Sequence, residues 1–141
     1  MKQKINPEGA IKPPAPYSSI IKVDAPKEMI FLSGVSANGA DGRIVGENDI
    51  LAQTRQIVQN IVTELEAVGA GPENVVMTTT FVLGNVMDDF LMTGSANVLF
   101  EGLGNPADTL VGVASLAGMK GGALIEVNAI AVIEAEKEEE K

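Results

Sequence analysis

Residues 48–83 carry a helix pattern and a strand pattern back to back, and this pair constrains the fold more than any other stretch. Ile50, Ile57, Ile61, Leu65 and Val68 recur at spacings of three, four and seven, with Leu51, Val58 and Val62 alongside. The 3.6-residue period puts them on one face of an α-helix of about five turns. Gln53, Arg55, Gln59 and Glu66 fall largely outside that face. Asn48 or Asp49 can cap its start, because a short polar side chain accepts from the unpaired amides of a first turn. Gly69 stands where a helix-ending glycine belongs. The next run, NVVMTTTFVL (residues 74–83), is dense in β-branched side chains and predicts a central strand. An amphipathic helix feeding an apolar strand implies a helix laid on a sheet.

The rest of the chain extends that plan. Residues 1–16 include the run PPAP and read as an extended arm, followed by a first strand at 17–23. MIFLSGVS (29–36) predicts a buried strand, and Ile44-Val45 a short one. Residues 87–103 predict a second helix, weakened in its middle by Gly94. Asp88-Asp89 suits that helix's start, where the dipole favours acids. Asn105-Pro106 makes a turn, and Leu110–Ala114 a strand. Residues 123–135 alternate around Ile125, Val127 and Ala129 and predict the last strand. The order argues for an α+β domain at residues 1–135, with both helices on one sheet face, and an acidic tail at 136–141. The strands are apolar on both sides, so the other face needs a cover, which subunit association supplies.

Composition removes several kinds of chemistry. The chain has no cysteine, which excludes disulfides, thiolate metal sites and a Cys nucleophile. It has no histidine, the usual general base near neutral pH and the commonest transition-metal ligand. Acid–base work falls to Asp, Glu, Lys, Tyr or bound water. The net charge of −9, with Lys and Arg scattered, opposes nucleic-acid binding, which needs a basic patch. No apolar run reaches the roughly 18 residues of a membrane span, and the N-terminus lacks a signal-peptide core, so a cytoplasmic location is expected. No phosphate-binding glycine loop and no metal-loop carboxylate cluster is present.

Four places could carry chemistry. Asp108, between the Asn105-Pro106 turn and an apolar strand, either ends a turn or sits in a pocket and selects what binds there. Glu126, inside LIEVN, lies on the strand face opposite Ile125 and Val127. It is either solvent-facing or a cleft carboxylate able to orient or deprotonate water. Tyr17 either anchors the arm on the core or lines a pocket. Ser33-Gly34 ends a buried strand, as a bend or as a point of close ligand approach.

In order, APYSS, FLSGVS with GRIVG, QTRQIVQNI, LEAVGAGPENVVMTTTFV, DDF, NPADTLVGVASL and IEVNAIAV form a pattern over residues 14–132. It resembles the RidA/YjgF family of reactive-intermediate deaminases, also described as endoribonuclease L-PSP-like. The resemblance implies a chorismate-mutase-like α+β fold with a mixed six-stranded sheet and two helices on one face. It further implies homotrimers whose sheets form a central barrel, with ligand clefts between subunits. The family activity it implies is hydrolysis of small enamines and imines to a ketoacid and ammonia, without metal or organic cofactor. Glu126 matches the family's water-orienting Glu, and Tyr17, Ser33 and Gly34 match its pocket.

The family arginine that binds the substrate carboxylate is replaced by Asp108, so this is a divergent member. Leu110 stands for a frequent cysteine, Gly94 and Asn97 for a common Asn and Tyr, and Asn128 for a second acid. The loop GMKGG also looks longer than the usual turn. If Asp108 and Glu126 face one cleft, they repel a carboxylate substrate, and each raises the other's pKa. Arg43 or Arg55 is a candidate substitute cation. Two readings follow: a C=N hydrolase whose substrate is neutral or cationic near Asp108, or a non-catalytic ligand-binding or structural trimer. Loss of imine turnover in Glu126→Gln discriminates them.

Overall fold

The computed structural model of the chain describes residues 2–117 and 121–136. The first three residues of the GMKGG loop and the end of the acidic tail lie outside the described residues. In chain order the elements are β1 (Lys2–Ile5), β2 (Ile20–Val23), β3 (Pro26–Val35), α1 (Ile50–Glu66), β4 (Val75–Leu83), α2 (Met87–Met92), α3 (Ser95–Gly102), β5 (Ala107–Val113) and β6 (Ile125–Glu134).

The strands divide into two sheets, not the single six-stranded sheet expected. β3, β6, β4 and β5 form a mixed sheet in that order, with β4 and β5 parallel and the other pairs antiparallel. β1 and β2 form a separate antiparallel pair, so part of the expected arm is a strand. Ala25 sits at φ 50° between β2 and β3. That left-handed conformation turns the chain sharply, which keeps β2 from running on into β3. The strand expected at Ile44-Val45 is reduced to one bridge, Asn38 to Ile44.

The first helix follows its sequence pattern. Ile57, Ile61 and Leu65 are fully buried, and Asp49 Oδ1 accepts a hydrogen bond from the Ala52 N–H at 3.1 Å. At the other end Gly69 has φ 78°. The Ala70 N–H reaches the Leu65 carbonyl at 2.9 Å and the Gly69 N–H the Glu66 carbonyl at 3.1 Å. This pair of bonds is the glycine-terminated cap in which a left-handed residue lets two late carbonyls be satisfied. Gln53 departs from the expected polar face and is fully buried. Its Nε2 donates to the carbonyls of Gly46 and Gly122, both at 3.0 Å, and its Oε1 accepts from the Leu124 N–H at 2.9 Å. A buried amide is tolerated because its polar groups are partnered.

The expected second helix is two. Gly94, at φ 84°, separates α2 from α3, because a left-handed residue cannot continue a right-handed helix. Asp88 and Asp89 occupy the first turn of α2. α1 packs on α3, β3 and β6, and α2 on β4. One sheet face is thereby covered, burying Val82, Ile125, Val127 and Ala131 against Leu99 and Phe100 in one core. The other face stays open, with Phe31 68% and Met29 57% exposed.

Candidate functional site: two carboxylates on opposite sheet faces

Asp108 belongs to β5 rather than to the preceding turn, opposite Thr78 of β4 in parallel register. Thr78 and Thr80 stand two apart on β4, so both face the helices. Both are buried, and each hydroxyl donates to Asp108 Oδ1 at 2.7 Å. Burial pushes the Asp108 carboxyl above its usual range, and the two threonine hydrogen bonds partly oppose that rise.

The N-terminal arm is pinned beside this carboxylate. Ser18 Oγ donates to the Asn105 carbonyl at 2.7 Å, and Asn105 Nδ2 donates to the Pro16 carbonyl at 2.8 Å. The Ser18 N–H reaches the Pro106 carbonyl at 3.0 Å. These bonds explain why the strand expected from residue 17 begins only at Ile20. They also lay the Tyr17 ring edge-to-face on Phe100, with centroids 5.8 Å apart at 74°. Tyr17 is therefore an anchor and also a wall: with Leu91, Phe100, Asp108 and Leu110 it lines a cavity of about 240 Å³.

Glu126 sits on the other face. It pairs across the sheet with Phe81, whose parity is opposite to that of Thr78 and Thr80. β3 shifts register between Leu32 and Val35, so Ser33 and Gly34 together oppose one residue of β6. Such a bulge re-aims the strand locally. Here it brings the Gly34 backbone under the Glu126 side chain. A Cβ on Gly34 would lie 2.7 Å from Glu126 Oε2, so glycine is what lets the carboxylate rest there. Ser33 is exposed beside it. A groove of about 460 Å³ opens next to Gly34, lined by Ser36, Asn38, Asn60 and Glu64 among others. Asn60 Nδ2 holds its rim by donating to the carbonyls of Ser36 and Asn38, at 3.1 and 2.9 Å.

The structure thus brings Tyr17 together with Asp108, and Gly34 with Glu126, but not the two acids with each other. Within one chain Asp108 and Glu126 lie on opposite faces, two strands apart. Within the single chain the Asp108 pKa is raised by desolvation, with no contribution from Glu126; the expected repulsion between the two acids belongs to a cleft between subunits. Neither expected substitute cation lines the Asp108 cavity. Arg43 lines a different one with Ile44 and Glu47, and Arg55 is exposed on α1. Thr78 and Thr80 were not singled out from sequence, although the alternation within the TTT run places both on one face. No helix among the described residues is long and apolar enough to cross a membrane.

A mixed sheet with helices on one face, a pocket under an N-terminal arm and a Glu over a glycine bulge defines an α+β architecture. The chain belongs to the RidA/YjgF family: residues 7–133 match the family model described as Endoribonuclease L-PSP. A RutC family protein of Pyrococcus horikoshii is 35% identical over 132 residues, covering 93% of this chain and 98% of the relative. Another from Pyrococcus abyssi is 34% identical over 131 residues, covering 92% and 96%. The solved structure of YyfB from Yersinia pestis, described as a Rid family protein of unknown function, superposes with a TM-score of 0.80. It shares 29% identity, covering 94% of this chain and 98% of that one.

Proposed function

We propose that the protein hydrolyses a small imine or enamine at a cleft completed by a second copy of the chain. In this reading a water held by Glu126 adds to the C=N carbon. Glu126 takes a proton from that water and returns it to the nitrogen, giving a carbinolamine; it then relays the hydroxyl proton to the same nitrogen, so the C–N bond breaks, ammonia leaves and the carbonyl forms. The observation that carries the reading is the Glu126 carboxylate laid over the Gly34 bulge, on the sheet face that also leaves Phe31 and Met29 exposed. Phe31 and Met29 on that face favour a homotrimer, because an exposed apolar sheet face is normally covered by a partner. The reading includes no metal or organic cofactor and no membrane.

The substrate is neutral or cationic near Asp108. A 2-imino acid places a carboxylate where relatives have arginine, and here it would meet a second negative charge. An endoribonuclease activity, the word in the family's description, is opposed by the net charge of −9. The alternative is a non-catalytic ligand-binding or structural trimer of the same fold. A panel of neutral, cationic and anionic imines, assayed for ammonia release with wild type and Glu126→Gln, tests the choice. Turnover lost in a folded Glu126→Gln supports hydrolysis. No turnover of any member by an assembled wild-type protein supports the binder.

A further inference from the structure

We infer that the Asp108 cavity binds a small primary ammonium ion carrying a short apolar body. This deepens the reading above by naming the chemistry of the ligand's end near Asp108, and it rests on that reading's placement of a ligand there.

Three features carry it. First, both threonine hydroxyls are spent on Oδ1, and among the described residues Oδ2 accepts no hydrogen bond. Among the described residues no buried side-chain polar atom is left without a partner, so Oδ2 is not sealed in protein, and the residue that carries it lines the cavity. Second, among the described residues the lining contains no Lys or Arg, so those walls offer the carboxylate no counter-charge. A ligand N–H that is itself charged supplies hydrogen bond and counter-ion together, which neither an alcohol nor a carboxylic anion does. Third, the remaining wall is apolar: Pro14, Ala15, Leu91, Ala96, Phe100 and Leu110. It leaves room for a hydrocarbon body, and the Tyr17 and Phe100 rings add surface that tolerates a nearby cation. The hydroxyl pair fixes Oδ1, so Oδ2 presents one defined direction to the ligand.

The test is an amide-NMR titration of the full-length protein with n-butylamine, n-butanol and butyrate at neutral pH. The expected result is shifts at Tyr17 and Leu110 with n-butylamine, at least about tenfold tighter than n-butanol, and no binding of butyrate. Asp108→Asn is expected to abolish the amine's advantage, and Asp108→Arg to reverse it in favour of butyrate. Should either variant fold poorly, Leu91→Lys at the exposed rim is expected to weaken the amine alone. Equal binding of amine and alcohol, or binding of butyrate by wild type, overturns the inference. Amine selectivity without hydrolysis of any imine would uphold the inference and defeat the catalytic reading. Butyrate binding alongside Glu126-dependent hydrolysis would do the reverse.

Discussion

The two faces of the four-stranded sheet solve different problems with the same strands. On the helix face Thr78 and Thr80 are buried and committed to Asp108 Oδ1, and Asp108 lines a cavity together with the Tyr17 arm. On the open face Phe31 and Met29 remain exposed, and Glu126 rests on nothing larger than Gly34. Adjacent β4 residues serve both, because alternate side chains point to opposite faces. The covered face makes the fold, whereas the open face is incomplete as it stands. A mutation should therefore act on stability from one side and on assembly and turnover from the other.

The largest expected effect is on the covered face. Ile57→Ala removes a fully buried side chain and is expected to cost about 2–5 kcal/mol in urea unfolding. Phe31→Ser is the counterpart on the open face, expected to change single-chain stability by no more than about 0.5 kcal/mol while lowering the oligomer mass seen by light scattering. An unchanged mass with a collapsed melting curve would break the contrast. A middle-sized effect is expected from Thr78→Val or Thr80→Val. Each removes a donor from a half-buried carboxylate and should cost about 1–2 kcal/mol, leaving mass unchanged.

Smaller again in stability, but not in activity, is Gly34→Ala. Its Cβ would meet the far end of the flexible Glu126 side chain, so the carboxylate swings aside at little cost to the fold. Ammonia release should fall nearly as far as in Glu126→Gln while the urea midpoint barely moves. The smallest effect is electrostatic. Folding raises the Asp108 pKa, so the native state binds that proton more tightly than the unfolded chain. The penalty is absent below the ordinary aspartate pKa and grows as pH rises towards the raised native value. Relative to wild type, Asp108→Asn should therefore gain stability across that window as pH increases. A flat difference between the two unfolding curves would contradict it.

Much of this was legible in the sequence where one local rule acts alone. The period of Ile57, Ile61 and Leu65, the glycine at 69 and the β-branched run at 75–83 each specify their element without help from distant residues. Gly94 carried its warning in plain view, and the helix does break there. What sequence could not supply was long-range pairing. Gln53 reads as a surface residue on a helical wheel, and only the carbonyls of Gly46 and Gly122 make its burial possible. Tyr17 belongs to a strand by pattern and to a loop by its neighbours' bonds to Asn105 and Pro106. For Glu126 the alternation already gave a face opposite Ile125 and Val127, but which face the helices cover was not visible; for Asp108 only the residue type was. Asp108 takes its face from a parallel register with β4, and Glu126 from an antiparallel one.

In the proposed reading, Asp108 makes the pocket refuse carboxylates. Hydrolysis of 2-iminopropionate, generated in situ and followed by ammonia release, tests it most directly in wild type and Asp108→Arg. The account predicts no acceleration by wild type over the uncatalysed rate, and acceleration by Asp108→Arg that disappears when Glu126→Gln is added. Wild-type hydrolysis as fast as that of Asp108→Arg would contradict it, because the carboxylate would then be bound despite the inverted charge.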